Sequence, residues 1–97
     1  MNYKPTIKPV DGLAGVFVRS LTLGDLVKLR SAVATAPDHE RDAVALVHLV
    51  SLTACTEDGT TMFDTDAAMN LPITVGEKIA KAAEGLNGID PEAAKNG

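Results

Sequence analysis

The sequence predicts a mainly α-helical small domain, and three observations carry that prediction. Apolar residues recur at helical spacing over three stretches, residues 22–36, 38–55 and 72–87. Helix punctuation frames them: Thr22 with Asp25 three residues on, Pro37, Asp64-Thr65-Asp66, Pro72, and Asn87-Gly88. Aromatic residues make up only 3% of the 97-residue chain and Trp is absent, so a core must be built from Ala, Val and Leu. Such a core buries little area per residue. It predicts one domain of modest stability, with part of its apolar surface covered by a partner or another copy.

Residues 1–15 contain Pro5, Pro9, Gly12 and Gly15 and cannot form a continuous helix. They read as an extended N-terminal arm, with Lys4 and Lys8 on a solvated terminus. Val16-Phe17-Val18-Arg19-Ser20-Leu21 is rich in β-branched and aromatic residues and reads as a short strand or an extended lead-in. Its candidate pairing partners are residues 1–10 and the segment around Thr61–Phe63.

Thr22 opens the first helix, Asp25 standing where a capping box carries Glu or Gln. Leu23, Leu26, Val27, Leu29 and Val33 then give one apolar face, and the helix ends before Pro37. Asp38, or Thr35 with Pro37 inside the first turn, caps the second helix. From Val44 to Cys55 that helix is apolar on nearly every side, the mark of the central element against which the others pack.

The turn from Thr56 to Thr61 carries Asp58-Gly59, a reversal signal, and predicts a small hairpin near 56–63 that returns Phe63 to the helix end near Leu52 and Cys55. A calcium loop does not fit. With Gly59 at the glycine position, Ala54 and Thr56 stand where acidic ligands belong and Thr65 where the bidentate Glu belongs. Asp64 to Asp66 begins a short helix to Asn70. The last helix starts at Pro72, or at the Thr74-Val75-Gly76-Glu77 box, with Val75, Ile79, Ala82, Ala83 and Leu86 on one face. Gly88 is placed to take the left-handed cap, with Ile89 folding back onto it. Asp90-Pro91 starts a final turn, and residues 91–97 form a short C-terminal tail. The domain reading is thus 1–15 arm, 16–90 helical domain, 91–97 tail.

Composition also excludes functions. The formal net charge is −4, Lys and Arg are scattered singly, and no aromatic platform exists, so nucleic-acid binding is disfavoured. The longest wholly apolar run, residues 43–47, is far short of a membrane span, and the N-terminus lacks the apolar core of a signal peptide. The lone Cys55 suits a reducing cytoplasm. His48, Cys55 and Asp58 are the one cluster from which an enzyme could be built. It lacks an orienting group and an oxyanion site, and two ligands do not make a metal site. His48 reads as a half-buried, hydrogen-bonded histidine and Cys55 as a small core hydrophobe. No catalytic residue, cofactor or metal is expected.

The order of elements carries a resemblance. Val16 to Thr22 reads Val-x-Val-Arg-x-Leu-Thr. A helix follows, then an apolar helix to Cys55, Glu57-Asp58-Gly59, Met62-Phe63, a short acidic helix, Leu71-Pro72, and a closing helix ending Leu86-Asn87-Gly88. Over residues 16–89 this resembles the tail assembly chaperones of long-tailed bacteriophages. The resemblance implies a helical domain that binds the tape measure protein, keeps it soluble in the host bacterial cytoplasm during tail tube assembly, and is absent from the mature virion. It implies self-association, and recruitment of the tail tube protein through a longer product of programmed frameshifting. Ala94-Lys95-Asn96 can be encoded GCA-AAA-AAC, which holds the slippery heptamer A-AAA-AAC. The implied binding is helix-in-groove. Leu29, Val33, Ile79 and Leu86 on the first and last helices are the candidate client or self-association surface; for each taken singly, packing onto the central helix is the preferred reading. The alternative function is a small structural phage component, a connector or head-completion protein retained in the virion.

Overall fold

The computed structural model describes residues 4–88. Two short strands, β1 (Ile7–Pro9) and β2 (Phe17–Arg19), precede helix α1 (Leu23–Thr35). A single 3-10 turn (Asp38–Glu40) leads into α2 (Arg41–Thr53), which runs directly into strand β3 (Ala54–Cys55). Helices α3 (Thr65–Met69) and α4 (Ile73–Asn87) follow. The strands form one antiparallel sheet in the order β1-β2-β3, pairing Lys8 with Val18, and Phe17 with Cys55. The molecule is mainly α with a small N-terminal sheet, as the residue pattern predicts.

Local chemistry sets the helix ends. The Thr22 hydroxyl accepts from the Asp25 N–H (3.1 Å) and the Asp25 carboxylate accepts from the Thr22 N–H (3.0 Å), a complete capping box. Asp64 caps α3 by accepting from the Ala67 N–H (2.8 Å). Gly88 closes α4 at φ +68°, its N–H on the Glu84 carbonyl. Asp38 behaves differently from the expectation. Its side chain caps no helix and pairs instead with Arg41 (3.1 Å), because a 3-10 turn separates it from the start of α2.

The central helix also stops two residues earlier than its apolar pattern implies. Ala54 and Cys55 leave the helix to pair with Val18 and Phe17. Both are fully buried, so an uninterrupted apolar run reads the same for a buried helix end and for a strand covered on both sides. The Arg19 Nε–H donates to the Leu52 carbonyl (3.0 Å), which satisfies one of the acceptors left at the α2 terminus and sets a cation there. The reversal after Cys55 is the expected hairpin. Thr56 and Met62 N–H groups bond the Thr60 and Ala54 carbonyls (2.9 and 3.1 Å), and Ser51 Oγ donates to the Phe63 carbonyl (3.0 Å).

Of the expected N-terminal arm, Ile7–Pro9 is extended and bound to the body, while residues 11–15 turn back toward β2. β1 pairs with β2, and Val10 is only 4% exposed. The core gathers Val10, Val18, Leu49, Val50, Ala54, Ile79, Ala80 and Ala83, so α2, α4 and β2 enclose it. α2 is the hub, touching α1, α3, α4 and β2. The fold of Ile89, the Asp90-Pro91 turn and the 91–97 tail lie outside the described residues.

Candidate interaction surface

Of the α-helices, α1 is the least covered. None of its thirteen residues is fully buried. It packs chiefly on α2, and its apolar side chains stand apart from the core cluster. At about 100° per residue, Leu26, Leu29 and Val33 fall within roughly 60° of one another. These three are half-buried on the side toward α2. Val27 stands about 100° from Leu26, and with Leu23 it faces solvent. Leu23 is 83% exposed and Val27 64%. Leu23, Val27, Arg30 and Ala34, spaced i, i+4, i+7, i+11, form one exposed line along the helix. The single apolar face expected for this helix is therefore two: an inner one on α2 and an outer one that nothing in the described chain covers.

The four candidate surface residues separate accordingly. Leu29 and Val33 sit on the inner side of α1. Ile79 is fully buried at the centre of the core and is not a surface residue. Leu86 is half-buried, and it lines a groove to which α1 contributes no residue. Residues missed from the sequence are Leu23 and Val27, together with Met69 (67% exposed) and Ile73 (76%) at the α3–α4 corner. The angular offset of Leu23 and Val27 from Leu29 was the available signal. For Met69 and Ile73 periodicity gives none, since both lie at helix ends.

The groove lies between the sheet edge and α4 and has a volume of about 530 Å³. Val18, Ala82 and Leu86 line it, with Lys8, Lys78 and Lys81 among its charged walls. Among the described residues none of these lysines has a carboxylate within 4.0 Å.

His48 is half-buried on α2, while Cys55 is fully buried in β3. Burial pushes the Cys55 thiol above its ordinary value, the Arg19 guanidinium opposing and Asp58 adding to the rise. A thiol held neutral in this way is a poor nucleophile. Asp58 is occupied by its own turn: the Thr56 and Thr60 hydroxyls and the Thr60 N–H all donate to it, and these bonds hold its carboxyl below its ordinary value. Among the described residues no group of three or more His, Cys, Asp or Glu is placed to hold a metal ion, and no helix is long and apolar enough to cross a membrane. Comparison of the chain with protein-family models, with curated proteins and with solved structures finds no match.

Proposed function

We propose that the protein is an assembly chaperone of the phage-tail type, which binds helical segments of a tape measure protein and holds them soluble in the host cytoplasm while the tail tube is built. It works without catalysis, self-associates, and leaves before the particle matures. A frameshift-extended form brings the tail tube subunit.

The observation that supports this reading is the outer line of α1. A helix exposing Leu23 and Val27 in a domain with a complete core elsewhere offers an apolar strip to another helix. Burying the two side chains contributes on the order of 3 kcal/mol before the costs of association. A gain of that size suits a client that must be held and later released. The capping box at Thr22 and the packing of Leu26, Leu29 and Val33 on α2 hold the strip in place beforehand, which lowers the ordering cost on binding.

Co-expression with the tape measure protein of the same genome tests the proposal. Soluble complex is expected with the unaltered chain and much less with Leu23→Ser/Val27→Ser. Absence of complex with both this chain and its frameshift-extended form would overturn it. Recovery of the chain from purified virions by mass spectrometry would favour a structural component instead.

A further inference from the structure

We propose that the groove between β1, β2 and α4 is a second binding site, one that takes an acidic peptide segment anchored by an apolar side chain. It is distinct from the α1 strip and does not depend on the chaperone reading. Three features point to it together. Lys8 comes from β1 and Lys78 and Lys81 from α4, so three of the nine Lys and Arg residues of a chain with net charge −4 meet around one depression. Among the described residues they have no carboxylate partner, and the one acid in the groove wall, Asp11, lies beyond 4.0 Å of each ammonium. The floor is apolar: Val18 is 1% exposed, and Ala82 and Leu86 are half-buried beside it.

Small residues on α4 keep the groove open. Gly85 stands one turn beyond Ala82, and a Cβ placed on Gly85 would meet nothing within 4 Å. At the other end Lys78 Nζ approaches the β1–β2 connection, about 3.5 Å from where a Cβ on Gly12 would stand. Cations on the rim with an apolar floor between them match a ligand carrying carboxylates on either side of an aliphatic side chain. They do not match nucleic acid, which finds no stacking ring in the groove and no run of cations to follow along its phosphates beyond these three. They match a basic peptide no better.

The test uses a fluorescein-labelled peptide of Leu-Glu-Glu-Leu repeats, titrated with the full chain and followed by fluorescence anisotropy. Saturable binding that weakens with added salt is expected. Lys78→Glu and Lys81→Glu should each weaken it by about fivefold or more. Lys28→Glu, the same charge change on α1, should alter it by less than about twofold. Gly85→Leu fills the groove without changing charge and favours the helix, so the fold is kept; it should weaken binding by about tenfold. Absence of binding to the unaltered chain would overturn the proposal. So would equal loss in Lys28→Glu, full binding by Gly85→Leu, equal affinity for a Ser-Glu-Glu-Ser peptide, or tighter binding of an oligouridine.

Discussion

Replacing Asn87 by alanine removes a side-chain hydrogen bond that ties the end of α4 to the residues just before α1. The Asn87 Oδ1 accepts from the Leu21 N–H (2.7 Å), sixty-six residues away in sequence, and its Nδ2 donates to the Ala83 carbonyl (2.9 Å). Without it the half-buried Leu21 N–H loses its acceptor, which costs about 1–3 kcal/mol, reduced where water can enter. Alanine returns roughly 0.5 kcal/mol through its higher helix propensity. The expected net loss is about 1.5 kcal/mol, or roughly 6–12 °C in Tm for a domain of this size. Asn70→Ala is the control. Asn70 donates to the Asp66 carbonyl (2.9 Å) in the same i to i−4 geometry, but it is exposed and bonds only within its own turn. That change should cost less than about 0.5 kcal/mol. Urea unfolding gives the stabilities, and amide exchange at Leu21 reports the anchor itself. If Asn87→Ala is no worse than Asn70→Ala and Leu21 exchanges at an unchanged rate, α4 does not anchor α1 in this way.

Three further outcomes are expected. Ile79→Ala should lower the unfolding free energy by about 3 kcal/mol, whereas Leu23→Ala should shift it by less than about 0.5 kcal/mol; comparable losses in urea titrations would contradict the core assignment. Gly59 has φ +91° and a Cβ there would stand 3.2 Å from Ile7 Cδ1, so Gly59→Ala should cost about 1–2 kcal/mol by calorimetry, with no loss sinking the account of the turn. Asp58 has a folded value below its ordinary 3.8, so its contribution to stability is present above about pH 4 and lost as pH falls through the lower folded value. A carboxyl titration followed by NMR should place its midpoint below 3.8, and a midpoint at or above that value would remove the role given to the Thr56 and Thr60 hydroxyls.

Most of the helical frame was legible because its signals are local. Thr22 with Asp25, Asp64, and Gly88 act within a turn of themselves, and each does what its residue type predicts. The end of α2 was not legible. Whether Ala54 and Cys55 continue a helix or join a sheet is decided by Phe17 and Val18, and apolar residues do not record which neighbour they will meet. The candidate surface divided on the same ground. Ile79 and Val27 look alike in a hydropathy pattern, but α4 packs on both α2 and β2 while α1 packs chiefly on α2. The lysine-rimmed groove was invisible for a stronger reason: Lys8 and Lys78 are seventy residues apart, and only the packing of β1 beside α4 makes them a group.

The first strand also bears on whether the sheet can be extended edge to edge. On either side of β1 the Val10 N–H bonds the Val16 carbonyl and the Thr6 carbonyl takes the Ser20 N–H, so the even-numbered positions turn their backbone groups toward the β2 side. The outward positions are then Ile7 and Pro9, and proline has no N–H to offer. With Lys8 between them, the free margin of the sheet presents a single amide where an incoming strand needs an unbroken row. A second chain arriving edge-on along β1 therefore finds no template for extended pairing.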